Sequence, residues 1–227
     1  MDRSLKTLAF KALAATVLVL AAALASAADY VAGKHYLVLD EPVRTGDASK
    51  IEVTEVFWYG CGHCYSFEPL LEKWSKTLPA DVVVLRSPAI WHPTMELHAR
   101  AYYTAKALNV LDPVHRALFD AMNVEQNKLG TEGEIKKIFT AHGVDGDTFS
   151  KTFNSFGVGS AVGQADARQR SYKVTGTPEV VVQGKYRISA RQAGSHEAML
   201  AVIDHLIALE RAAGAKRHAS DSTAPAQ

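Results

Sequence analysis

The chain has 227 residues, 25 Lys+Arg against 24 Asp+Glu, a formal net charge of +1 and 48% hydrophobic residues. So even a balance offers no basic field for nucleic acid, while the hydrophobic share can fill a sizeable core. Only two cysteines are present, three positions apart, which excludes a disulfide framework spanning the chain.

Residues 1–27 read as a processing signal. Arg3, Lys6 and Lys11 form a basic front, Ala12 to Leu24 is apolar except at Thr16, and Ala25-Ser26-Ala27 is an A-x-A cleavage site. The apolar run is short for a membrane span, an uncleaved anchor being the competing reading, and no later stretch approaches the required length. Cleavage would leave 22 Lys+Arg against 23 Asp+Glu. The mature chain of about 200 residues suits one domain, or one domain with an insertion. An exported protein whose only cysteines form one close pair points to a redox-active disulfide.

Tyr36 to Leu39 predicts a short strand, followed by a turn at Glu41-Pro42 and a polar stretch to Lys50. Ile51 to Trp58 is β-branched and aromatic, of strand length, and stops at Gly60. From Cys61 the apolar spacing turns helical, with Phe67, Leu70, Leu71 and Trp74 on one face as far as about Leu78, and Pro69 is expected to kink the axis. Cys61-Gly62-His63-Cys64 therefore occupies the first helical turn, with both sulfurs on one side. A helix N-terminus presents unpaired N–H groups and a positive dipole end, which favour a thiolate; a protonated His63 adds to this. Both effects lower the pKa of Cys61, so Cys61 reads as the attacking sulfur and Cys64, one turn inward, as the resolving one.

Val82 to Arg86 predicts a third strand, completing a βαβ unit. Helical patterning then fills 94–108, 113–123, 131–141, 145–155 and 158–172, broken at Asp112-Pro113, Leu129-Gly130, His142-Gly143 and Gly157. Thr131 and Glu134 fit a capping box. Roughly eighty helical residues are too many for a crossover alone. Val180 to Val182 and Lys185 to Ile188, joined by Gln183-Gly184, predict a hairpin. A last amphipathic helix is expected over 195–212, and a disordered tail over 213–227.

Other readings compete at single residues. Cys61-x2-Cys64 with His92-x5-His98 could ligate zinc, but the 27 residues between the pairs are long for a finger, and His98 equally fits a helix surface or a satisfied core position. Haem attachment would need a histidine where Tyr65 stands. Trp58, Tyr59, Trp91 and His92 could rim the sulfurs for unfolded chains, or simply be core. Met95, Leu97 and Tyr102 read as packing within the helical stretch. Glu55 is costly to bury in a covered strand unless it reaches an edge, and Glu68 reads as a solvated helix acid.

Two segments, Glu55-Val-Phe-Trp-Tyr-Gly-Cys-Gly-His-Cys-Tyr-Ser-Phe-Glu68 and Thr175-Gly-Thr-Pro-Glu-Val-Val-Val-Gln-Gly-Lys-Tyr186, resemble the DsbA family of periplasmic thiol–disulfide oxidoreductases, within the thioredoxin-like superfamily. The resemblance implies an α/β fold. Residues 28–92 and 173–212 would form a discontinuous thioredoxin-like domain and 93–172 an inserted helical domain. It implies a cis Thr177–Pro178 bond, with Gly62, Gly176, Thr177 and Pro178 contacting substrate. It also implies a buried Glu55 that relays a proton for Cys64, with Arg86 standing where the family often has a lysine. The implied activity is donation of the Cys61–Cys64 disulfide to newly secreted, reduced or unfolded proteins, by a periplasmic monomer that needs no cofactor or metal. Reoxidation would come from a quinone-linked membrane protein of the DsbB type. Gly62-His63 and Thr177 depart from the commonest family residues and resemble the disulfide isomerase branch. They suggest a potential nearer that branch's value of about −180 mV than the about −120 mV known for DsbA. Isomerase or reductase activity of the same fold, or a non-enzymatic chaperone-like module, are the alternatives.

Overall fold

The structure is a computed structural model that describes residues 30–222, with side chains through 215; the expected processing signal and residues 223–227 lie outside the described residues. Five strands form one sheet in the order β1-β5-β4-β2-β3: β1 (Leu37–Val38), β2 (Ile51–Phe57), β3 (Val82–Pro88), β4 (Glu179–Val182) and β5 (Tyr186–Ser189). Every residue of β2 is buried, as expected of a β-branched central strand covered on both faces. β2 and β3 run parallel from Ile51–Val82 to Phe57–Pro88, joined by a crossover through α1 (Gly62–Ser75). β4 lies antiparallel to β2 on its other side, with Glu55 opposite Val180. These are the βαβ and ββα halves that the resemblance implied.

The β4–β5 hairpin turns through the three residues 183–185, with positive φ at Gln183 (51°) and Gly184 (61°). A Cβ at position 184 would lie 2.0 Å from the Val43 carbonyl oxygen, so only glycine fits. The Gly184 carbonyl in turn accepts the Val43 N–H at 2.8 Å, which ties the polar stretch before β2 to the hairpin.

Between β3 and β4 run α2 (Pro93–Ala107), α3 (Leu111–Asn123), α4 (Glu132–Ala141), α5 (Gly146–Phe153) and α6 (Phe156–Ser171), within two residues of the expected spans. The Thr131–Glu134 capping box is formed. These helices do not close a core of their own. Leu118, Phe119, Phe139 and Phe149 belong to one buried cluster with Phe57, Tyr59 and Cys64. Each such aromatic contributes about 1.5–3 kcal/mol on burial, so the insertion helps hold the reactive end of the sheet.

After β5 come a short helix that the sequence pattern did not suggest, α7 (Ala190–Ala193), and α8 (His196–Ser222), which packs on α1 and the sheet. The last helix does not stop at 212 and the tail does not begin at 213. Ala212, Ala213 and Ala215 are strong helix formers, and they carry α8 past Gly214 to Ser222.

Candidate active site

The strand-to-helix junction is set by Gly60. A Cβ there would come within 2.4 Å of the Trp58 indole, so the chain can only turn beneath that ring with glycine. Cys61 is then the N-cap of α1, and its sulfur lies 3.4 Å from the Cys64 backbone N–H. The Cys61 sulfur lies 3.2 Å from the Thr177 carbonyl oxygen, to which it donates only in its protonated form. Cys61 is half-buried and Cys64 fully buried, both as free thiols.

This geometry drives the two sulfurs apart chemically. The Cys64 thiol hydrogen-bonded to Cys61, the Thr177 hydroxyl, and the backbone N–H groups of Cys64 and His63 together outweigh burial, and bring the Cys61 pKa down to about 5. Burial, followed by the neighbouring Cys61 and Glu55 charges, pushes the Cys64 thiol well above its ordinary value. At neutral pH one sulfur is a thiolate and the other a thiol.

The Thr177–Pro178 bond is cis, and the loop around it touches Cys61 and walls a neighbouring cleft of about 570 Å³. Gly176, Thr177, Pro178 and His63 line that cleft together with His196 at the start of α8. The rings of His63 and His196 stand edge to face, 6.0 Å apart. The buried Glu179 steadies the loop from below, its carboxylate accepting the Thr175 hydroxyl at 3.2 Å. Gly62 is exposed on the first turn of α1 and does not line the cleft.

Beneath the sulfurs lies a buried charged layer. Glu55 is fully buried in mid-strand, not at an edge, and neither of its carboxylate oxygens has a hydrogen-bond partner among the described residues. Burial first, and then the Glu68 charge, raise its pKa to about 8, although Arg86 Nε lies 3.6 Å away and opposes the rise. Arg86 is committed instead to Glu68: Nη2 makes a close ion pair with Oε1, and Nε donates to Oε2 at 3.3 Å. Burial pushes Glu68 up, but His115 and Arg86 outweigh it and hold it below the usual carboxylate range. His115, kept neutral by burial, links on to the Tyr59 hydroxyl through Nδ1 at 2.7 Å. One arginine thus neutralises one glutamate, and the second glutamate retains its proton.

Several expectations change here. Glu68 is not a solvated helix acid. It falls on the stripe Cys64, Phe67, Glu68, Leu71 that α1 buries. His98 is satisfied core, and unsuited to a metal as it stands: Trp58 Nε1 donates to its Nδ1 at 2.9 Å, which leaves Nε2–H to donate to the Leu129 carbonyl at 3.1 Å. Tyr59 is core and no part of a rim, whereas Trp91 is 48% exposed. His115 and His196 carried no local signal; only the fold brings them in.

A family model described as a DSBA-like thioredoxin domain matches residues 82–199. The thiol:disulfide interchange protein DsbA of Pseudomonas aeruginosa is 43% identical over 192 residues, 85% of this chain and 91% of that protein. Its counterpart in Azotobacter vinelandii is 40% identical over 188 residues, 83% of this chain and 88% of its own. Among solved structures, Pseudomonas aeruginosa DsbA superposes with a TM-score of 0.79 at 42% identity, covering 83% of this chain and 98% of that one. The oxidoreductase DsbA of Xylella fastidiosa gives 0.75 at 30% identity, covering 81% and 98%.

Proposed function

The chain belongs to the DsbA family and is a thiol–disulfide oxidoreductase, and from that premise we propose which of its residues carry the exchange and in which direction. In the oxidised enzyme a substrate thiolate attacks the Cys61 sulfur. The Cys61–Cys64 bond breaks, Cys64 leaves with the electron pair, and a mixed disulfide forms on Cys61. Cys64 then takes up a proton, and the proton that burial keeps on Glu55 at neutral pH supports Glu55 as its donor. A second substrate thiolate attacks the substrate sulfur of the mixed disulfide, and Cys61 departs as a thiolate. The substrate has lost two electrons to form its disulfide, and the enzyme has gained them.

The observation that carries this direction is the opposed pair of sulfurs. A Cys61 thiolate stable down to about pH 5 is a good leaving group, and its stability favours the reduced enzyme, which is the property of an oxidant. In this reading Thr177, Pro178 and Gly176 bind the extended substrate chain along the cleft, and the exposed Gly62 contacts it outside the cleft. His63, when protonated, adds positive charge beside the outer sulfur. Residues 93–172 act as an inserted helical domain on a thioredoxin-like frame made of 28–92 and 173–212. Substrates are reduced secreted proteins, the site of action is the periplasm, and reoxidation comes from a quinone-linked membrane partner. The basic, apolar, A-x-A pattern of residues 1–27 supports the location. Among the described residues, no helix is long and apolar enough to cross a membrane.

The test is the equilibrium of the Cys61–Cys64 pair against glutathione, read from tryptophan fluorescence. A potential above about −180 mV is expected, and one near about −270 mV would overturn the donor direction. Cys64→Ala should trap a mixed disulfide with a reduced secreted protein, and Cys61→Ser should trap none.

A further inference from the structure

A second cavity, of about 390 Å³, lies between β3, α2 and α6 and shares no residue with the Cys61 cleft. Leu85, Val158 and Ala161 give it an apolar wall; Arg86, Lys106 and Arg168 line it, and no carboxylate does. Arg86 is neutralised from inside by Glu68, but the other two cations are not. Arg168 donates to neutral partners, the Ser87 hydroxyl at 3.3 Å and Tyr103. Lys106, on the exposed last turn of α2, has no carboxylate partner among the described residues. At the rim Phe156 is 92% exposed, between the lining residues Ser155 and Gly157.

We propose that this cavity is a binding site for an amphipathic anion: a carboxylate or phosphate carried on a short apolar body. A neutral apolar ligand would bury two cations without a partner, and a bare anion would leave the apolar wall wet. The volume falls within the range of small-molecule sites, about 300–1,000 Å³. The charge would be held by Lys106 and Arg168, and the apolar body would lie on Val158 and Ala161.

The site is wired to the redox centre through Arg86, which lines the cavity with one edge and pairs with Glu68 beside Glu55 with the other. This second step rests on the redox reading above. A bound anion opposes the negative charge that the Cys61 thiolate adds on reduction. It therefore favours the disulfide form, and by reciprocity the disulfide form binds it more tightly than the dithiol form.

Calorimetric titration of the disulfide protein with octanoate at low ionic strength should show one saturable site, and inorganic phosphate should bind at least about tenfold more weakly. Lys106→Glu, an exposed change outside the exchange machinery, should weaken octanoate at least about tenfold while leaving the ligand-free glutathione equilibrium unmoved. Absence of saturable binding, or wild-type binding by both Lys106→Glu and Arg168→Gln, would overturn the site. Phosphatidylglycerol vesicles that bind the protein and are displaced by octanoate would make a lipid headgroup the source of the anion. Octanoate binding without vesicle binding would make it a free amphiphile. Saturating octanoate should shift the glutathione equilibrium about fivefold toward the disulfide; an unmoved equilibrium with ligand bound would overturn the coupling. Failure of the ligand-free protein to equilibrate with glutathione at all would instead sink the redox reading and leave the binding site standing.

Discussion

The cleft at Cys61 and the layer beneath it manage negative charge by opposite means. At the surface, the Cys61 sulfur is charged and is held by short-range donors: the Cys64 thiol, the Thr177 hydroxyl and the backbone N–H groups of His63 and Cys64. Below, Glu55 has no hydrogen-bond donor among the described residues, and burial keeps it neutral beside an arginine already claimed by Glu68. Hydrogen bonds decide the first case and desolvation the second. A charged sulfur over a neutral but protonated acid is an arrangement from which a proton can move without leaving two unpaired charges in the interior.

The sharpest break is to remove the one cation of the lower layer. Arg86→Met leaves the buried Glu68 without its partner, which should cost about 3–5 kcal/mol in urea unfolding at pH 7. A loss below about 1 kcal/mol would mean that the layer is not held by that pair.

Glu55→Gln should act the other way. A carboxyl whose pKa is raised from 4.5 to about 8 keeps its proton when folded and loses it when unfolded, so its contribution to stability falls as pH rises between those values. The variant should therefore be more stable by about 1–3 kcal/mol at pH 7, equal to the parent near pH 4, and flatter in between. A parallel pH profile for the two proteins would show that Glu55 titrates normally. Its exchange with substrate should slow while the thiolate absorbance of Cys61 still titrates near pH 5.

A smaller effect separates the imidazole of His63 from its backbone. His63→Ala keeps the N–H that faces the sulfur, so the Cys61 pKa should rise by only about one unit, or about 1.4 kcal/mol. No rise would leave the whole effect with the Cys64 thiol, the Thr177 hydroxyl and the backbone N–H groups; return to the ordinary thiol value would assign it to the ring. Smallest of all should be the response to salt. A thiolate stabilised by hydrogen bonds should shift its pKa by no more than a few tenths between low salt and about 1 M, where exposed charges are screened within about 3 Å.

The upper region was the legible one. Strand, glycine, Cys61-Gly62-His63-Cys64 and helix follow each other in sequence, and local rules place the outer sulfur at a helix N-cap. Thr177-Pro178 lies more than a hundred residues away, and no local rule joins it to Cys61; only the resemblance did. The lower layer was read in part. Glu55 stood out because an acid in a covered strand is anomalous. Glu68 was missed although Cys64, Phe67, Glu68 and Leu71 mark a buried helical stripe, because an acid on a helix is ordinarily solvated. His115 comes from α3, where nothing local distinguishes it from a surface histidine until that helix packs on Phe57. The extension of α8 was misread because small polar residues after Ala213 were weighed above the alanines among them.

The buried cluster that unites Phe57, Tyr59 and Cys64 with Leu118, Phe119, Phe139 and Phe149 has a consequence for the opening of the molecule. Side chains from the sheet and from the inserted helices hold one another, so neither set can open while the other stays closed. Backbone amides in the middle of β2 and of α3 should accordingly exchange with deuterium through a single event, at one common free energy, with protection lost together on adding denaturant. This keeps the buried Cys64 sulfur out of solvent until sheet and helices open together, whereas the Cys61 sulfur stays partly exposed throughout.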